Sequence, residues 1–117
     1  MPLTKPDSEY VGFTPVSTRQ LVRAEVAALA SCYWPAGEVV NAVAVADLES
    51  VLWTSAWNRD GEDSRGIWQV NVGPGAHPEL AIWNLFDPQI NAYFAHQIWR
   101  ASGWRAWYNS AKALGLI

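Results

Sequence analysis

The run EVVNAVAVADLESVLW, Glu38 to Trp53, constrains the fold more than any other stretch of the chain. It follows a Pro35-Ala36-Gly37 break, and from Val39 to Ala46 every position except Asn41 is apolar. Wound as a helix, such a run covers nearly all sides of the wheel with apolar side chains, so it is predicted to be a buried, central helix. Yet it carries two carboxylates, Asp47 and Glu49. Desolvation disfavours the charged form of an acid, so a carboxyl at the end of a buried helix can hold its proton toward neutral pH. Asp47 lies deeper in the run, whereas Glu49 lies nearer its end, just before the Trp53 to Trp57 segment where a cleft could open. The plainer alternative is that both acids sit on a solvated stripe or pair with Arg19 or Arg23 of the preceding helix.

The remaining composition narrows what surrounds this helix. Half of the 117 residues are apolar, which suits one compact domain with a real core. A net charge of −3 and a charged fraction of 16% provide no basic field for a phosphate backbone, which argues against a nucleic-acid partner. The first twenty residues hold no readable export signal, and no run approaches the roughly 20 apolar residues of a membrane span, so no membrane insertion is expected. Cys32 stands alone, which excludes an internal disulfide framework and a Cys-based metal site. His77 and His96 are far apart and lack the spacing of a helical zinc site, so neither a metal nor an organic cofactor is expected. Eight tryptophans stand out, several near loops and element ends: Trp34, Trp53, Trp57, Trp104 and Trp107. Tryptophan is usually core, but an excess also suits a groove that stacks flat apolar faces such as sugar rings.

Residues 1–16, with Pro2, Pro6 and Pro15, read as an extended arm or linker, and 17–117 as the folded domain. Ser17 or Thr18 offers an N-cap for a first helix carrying Leu21, Val22, Val26, Leu29 and Tyr33, which runs until Pro35. The polar stretch Asn58 to Gly66 predicts a loop or hairpin. Ile67 to Val72 predicts a short strand paired back across it, with Ile67, Gln69 and Asn71 on one face, ended by Gly73-Pro74-Gly75. Pro78 to Phe86 fits a short helix. Asp87-Pro88 supplies an N-cap and first-turn proline for a helix with Ile90, Phe94, Ile98 and Ala101 on one face and Gly103 as C-cap. A final helix over Trp104 to Leu114 would pack Trp104, Trp107, Tyr108, Ala111 and Leu114. The fold class is therefore mainly α, an α+β arrangement with a small β-hairpin between helical segments.

Three ordered motifs give the pattern a family likeness. Glu49-Ser50 ends the buried helix, Ser64-Arg65-Gly66-Ile67-Trp68-Gln69-Val70-Asn71 follows after about fifteen residues of loop, and Tyr108-Asn109-Ser110 comes near the end. This set resembles the lysozyme superfamily, most closely the soluble lytic transglycosylases and goose-type lysozymes, over roughly residues 20 to 114. The superfamily includes virion-borne and endolysin domains of bacteriophages, which the compact size brings to mind.

The resemblance implies a lysozyme-like fold with a substrate groove between a helical lobe and the hairpin, acting on bacterial peptidoglycan glycan strands at the cell wall. It makes Glu49 the catalytic acid, since cleaving a glycosidic bond requires protonating a poor leaving oxygen. Gln69 would line the groove and bond sugar substituents, with Ser64, Asn71 and Asn109 as further substrate contacts. Tyr108 would sit near Glu49 and orient it or the sugar, although its helical spacing also suits the core. Trp68 reads as core under the hairpin and Ser50 as a supporting, helix-terminal residue. Asp60, Glu62 and Asp63 fall 11, 13 and 14 positions after Glu49, close to where goose-type enzymes carry acids. Asp60 and Asp63 are taken as possible second carboxylates. Chicken-type lysozymes place theirs two residues before the strand glycine, where this chain has Ser64. The reading is a lytic transglycosylase with one catalytic acid. The alternatives are a hydrolytic lysozyme and a non-catalytic glycan-binding or virion module.

Overall fold

A computed structural model of the chain describes residues 19–117; the arm expected over residues 1–16 and the N-cap expected at Ser17 or Thr18 lie outside the described residues. The helices are α1 (Arg23–Ser31), α2 (Val39–Ser50), α3 (Pro88–Ser102) and α4 (Tyr108–Ala113). Between α2 and α3 lie β1 (Trp57–Asn58), β2 (Ser64–Arg65) and β3 (Val70–Asn71), an antiparallel sheet in the order β1-β2-β3. The architecture is mainly helical α+β, with three short strands where one hairpin was expected. The register sets Ser64 opposite both Asn58 and Asn71, so these three share one face of the sheet while Trp57, Arg65 and Val70 share the other.

The first helix begins later than its apolar spacing predicts. Residues 19–21 are extended and pair with the chain after α2: Leu21 N–H donates to Leu52 O at 2.9 Å and Thr54 N–H to Arg19 O at 3.1 Å. That pairing satisfies backbone groups which a helix would otherwise need, and it wins over local propensity. The helix then starts after Val22, whose N–H donates to Glu25 Oε1 at 2.9 Å, the carboxylate half of a capping box.

The same clip ends α2. Val51 and Leu52 take left-handed backbone conformations, φ 51° and 64°, costly ones for non-glycine residues and most of all for β-branched Val51. Ser50 stabilises the reversal, its Oγ accepting from Leu52 N–H at 3.1 Å and donating to Ala46 O at 3.0 Å, while Gln20 Nε2 donates to Val51 O at 2.8 Å. The helix therefore stops at Ser50 rather than running on to Trp53, which leaves Glu49 in its last turn. It is also less enclosed than its wheel predicts. Ala42, Val43, Val45 and Ala46 are buried, but Val40 and Leu48 are exposed, because α1 and α4 cover only part of the helix surface.

The strand expected over Ile67 to Val72 is a correction. Gly66 to Gln69 form a turn between β2 and β3, closed by Gln69 N–H on Gly66 O at 3.0 Å. A Cβ on Gly66, at φ 79°, would lie 2.2 Å from Leu85 O and 2.4 Å from Asn91 Nδ2, so only glycine fits. Consecutive Ile67 and Trp68 are both fully buried, which breaks strand alternation and removes the shared face of Ile67, Gln69 and Asn71. Trp68 is core: its N–H donates to Asn91 Oδ1 at 2.8 Å, its indole N–H to Ala42 O at 2.9 Å, and its carbonyl accepts from Trp107 Nε1 at 2.7 Å.

Downstream, Asp87 caps α3 through Gln89 N–H at 2.9 Å, with Pro88 first in the helix and Gly103 at its C-cap, as their local chemistry dictates. Its buried face runs through Asn91, Ala92, Phe94 and Ala95, whereas Ala101 is exposed. The helix expected over Pro78 to Phe86 is a shorter 3-10 turn, Pro78–Ile82. Trp104 to Leu114 is likewise not one helix. A 3-10 turn, Gly103–Trp107, precedes α4, and the change of pitch keeps Trp104 and Trp107 buried while turning Tyr108 and Leu114 outward. Trp34, Trp68, Trp104 and Trp107 are all core, with Trp34 stacked on Trp104 at 5.9 Å, so the tryptophan excess goes mainly into packing rather than a groove. Trp53 and Trp57 are the exposed ones. No helix among the described residues is long and apolar enough to cross a membrane.

Candidate active site

The two acids of α2 part company in the structure. Asp47 turns toward α1 and pairs with Arg23 at 3.3 Å, the solvated arrangement that the sequence allowed for either acid. Glu49 instead faces a cavity of about 300 Å³ between the helices and the sheet. Burial is the main cause that raises its carboxyl pKa above the ordinary value. Ser110, from α4, donates its hydroxyl to Glu49 Oε2 at 2.6 Å and pulls the other way, while the negative charge of Glu62 adds to the rise.

Glu62 lines the same cavity. Its carboxylate accepts from the Ser64 hydroxyl and from Asn58 Nδ2, the latter at 2.9 Å, so the sheet face bearing Asn58 and Ser64 fixes it in place. The other two acids of this loop do not line the cavity. Asp63 is held by Arg65 through two 2.8 Å contacts and also accepts from Trp57 Nε1 at 2.8 Å. The Arg65 guanidinium keeps its carboxyl below the usual range. Asp60 is exposed at the loop tip.

Ser64, Gln69, Asn71, Tyr108 and Asn109 all line the cavity with Glu49. Tyr108 is 49% exposed, so its ring belongs to the cavity wall and not to the core. Among the described residues no group of three or more His, Cys, Asp or Glu could hold a metal ion. A model of the lysozyme-like domain matches residues 24–109, most of the chain. The chain belongs to the lysozyme-like domain family. No curated protein and no solved structure matches it.

Lysozyme-like domains are generally enzymatic on peptidoglycan, as glycosidases or transglycosylases, and so act at the cell wall. In this lysozyme-like domain the cavity joins a carboxyl whose pKa burial raises to a second carboxylate that Ser64 and Asn58 hold in place. The first can give a proton to a leaving oxygen; the second can stabilise positive charge or orient water. Reading the sequence alone passed over Glu62 and Ser110 as site residues. For Glu62 the available signal was its two-residue spacing from Ser64, which puts both near one cavity wall. For Ser110 it was the third place in Tyr108-Asn109-Ser110.

Proposed function

We propose that the chain cleaves the β-1,4 bond between N-acetylmuramic acid and N-acetylglucosamine as a lytic transglycosylase, with Glu49 as its single catalytic acid. The observation that carries this reading is Glu49 itself, part-buried in the last turn of α2, its pKa raised by burial, facing the cavity. Protonated Glu49 gives its proton to the glycosidic oxygen, the bond from that oxygen to C1 of the muramic ring breaks, and N-acetylglucosamine leaves as an alcohol. The Glu49 carboxylate then takes the proton of the muramic 6-hydroxyl as O6 bonds to C1, which yields a 1,6-anhydro end and restores the acid. Ser110 orients the carboxyl, and Gln69, Asn71, Tyr108 and Asn109 contact the sugars. Bacteriophage delivery, as a lysin or virion component, belongs to the same reading.

Glu62 favours a second reading, hydrolysis. A carboxylate on the opposite wall can orient a water for attack at C1, a role that the sequence offered to Asp60 or Asp63. Mass spectrometry of products from peptidoglycan in oxygen-18 water separates the two. Unlabelled anhydro ends, lost in Glu49→Gln, support transglycosylation, and labelled reducing ends support hydrolysis. Absence of products on walls of several chemotypes overturns both and leaves a glycan-binding module.

A further inference from the structure

The last turn of α2, which carries Glu49, is held from outside by residues 19–21, none of which lines the Glu49 cavity. Val51 and Leu52 follow Glu49-Ser50 at φ 51° and 64°, and neither is glycine. Two successive left-handed residues are a conformation that this apolar run would not choose for itself; by propensity it would wind on to Trp53. The reversal therefore depends on contacts from elsewhere in the chain.

Gln20 sits opposite Trp53 in an antiparallel bridge, and backbone bonds flank the pair: Leu21 N–H to Leu52 O at 2.9 Å and Thr54 N–H to Arg19 O at 3.1 Å. Arg19 N–H returns a bond to Thr54 Oγ1 at 3.1 Å. The Gln20 side chain acts on the strained residue itself, its Nε2 donating to Val51 O at 2.8 Å. The clip is fastened in turn to α1, because the Arg19 guanidinium donates to both oxygens of Glu25, at 3.1 and 2.8 Å, and Glu25 caps that helix through Val22 N–H. In a helix running on to Trp53, the Val51 and Leu52 carbonyls would instead point along the axis toward the N–H groups of Ser55 and Ala56. The bonds from Gln20 and Leu21 thus exist only while the chain reverses, and they select the reversal over a longer helix.

We propose that Gln20 is a positioning residue for Glu49. With the clip docked, α2 stops at Ser50 and the carboxyl faces its cavity beside Ser110; with the clip lifted, the end of the helix loosens and the carboxyl loses that place. The effect on rate rests on the glycan-cleaving reading of the cavity, whereas the coupling of clip to carboxyl does not.

Gln20 is exposed, so Gln20→Met keeps its length and removes the donor without entering the core. One hydrogen bond sets the scale: amide exchange at Leu21, Leu52 and Thr54 is expected to quicken about three- to tenfold. On solubilised wall, kcat should fall by about the same factor with KM unchanged. Carbon-13 titration of the Glu49 carboxyl reads the coupling without turnover. Burial is the largest cause of its raised pKa, so the midpoint should move toward the ordinary glutamate value in Gln20→Met. Gln20→Cys with Trp53→Cys, in a Cys32→Ser background, ties the clip reversibly, since the flanking bonds make these two a non-hydrogen-bonded pair with side chains close enough for a disulfide. Reduced, that protein should behave like Gln20→Met; oxidised, it should regain the slow exchange, the carboxyl midpoint and the rate. Exchange that does not quicken, exchange that quickens while midpoint and kcat stay native, or a disulfide that restores nothing overturns the proposal. A midpoint that follows the clip in a protein that cleaves no wall would sink the glycosidase reading alone, and wall cleavage indifferent to the clip would do the reverse.

Discussion

The hydroxyl of Ser110 donates to Glu49 Oε2 across 2.6 Å and so ties α4 to the end of α2, a contact between residues 61 apart in sequence. The donor stabilises the ionised carboxylate against a burial that opposes it. Ser110→Ala is expected to raise the Glu49 pKa further and to free its rotamer. The alkaline limb of the activity profile then moves to higher pH and the maximal rate falls about tenfold. Ser110→Thr keeps the hydroxyl and should recover most of the rate. A pH–rate profile on solubilised wall for the three proteins decides it; a rate loss without displacement of the limb would mean that Ser110 serves packing only.

Glu49→Gln links chemistry to stability. Removing the proton donor should cost about 10²–10⁴ in rate. The raised folded pKa means that wild type is favoured below the unfolded value, near 4.3, and loses that favour as pH rises through the folded value. Glutamine, neutral throughout and able to accept from Ser110, escapes the loss. Thermal melts should therefore show the variant more stable than wild type at pH 7, with the gap closing by about pH 4. A variant less stable than wild type at pH 7 would contradict the burial argument.

Legibility in the sequence followed the range of the forces involved. Asp87, Pro88 and Gly103 bound α3 through contacts a few residues away, so their chemistry could be read directly. The start of α1 and the end of α2 could not be, because both are set by residues 19–21 pairing with 51–54. Ile67 and Trp68 carry strand-like side chains, but burial of both in one turn around Asn91 overrides that preference. Glu49 stood out because an acid in an apolar helix is costly to bury. Glu62 did not, because only the strand register separates it from its neighbours Asp60 and Asp63.

That separation gives paired variants. Asp63→Asn removes the charge facing Arg65 but keeps the backbone N–H that Asp63 donates to cavity-lining Asn71, so turnover should stay within about twofold while stability falls at neutral pH. Its lowered pKa places that stability above the unfolded value, near 3.9, and it is lost as pH falls through the folded value, so the melts of mutant and wild type should converge as the pH is lowered below the unfolded value. Glu62→Gln leaves the Asp63–Arg65 pair intact and should change the ratio of labelled to anhydro ends if water is oriented there. Product analysis in oxygen-18 water reads both; a large turnover loss in Asp63→Asn would move the second carboxylate back to Asp63.

Asn91 is the polar residue on which the core turns. It is fully buried, accepts from Trp68 N–H at 2.8 Å and donates to Arg65 O at 2.8 Å and Leu85 O at 2.9 Å. Asn91→Ala removes the side-chain partner of two buried backbone groups, Trp68 N–H and Leu85 O, and of the part-buried Arg65 O, and a buried group costs more unpaired than the bond was worth. A loss of about 3 kcal/mol or more is expected in urea unfolding, since removing one partner exposes the full desolvation penalty of the others. Asn91→Asp keeps the acceptor for Trp68 but brings an ionisable carboxyl against two carbonyls, so it should be comparably unstable at pH 7 and partly recover when protonated. Because the turn that Asn91 holds also carries Gln69 into the Glu49 cavity, conditions in which either variant is still folded should show weaker glycan binding as well. A variant that unfolds like wild type would mean that water replaces the amide, and Gly66 packing alone sets the turn.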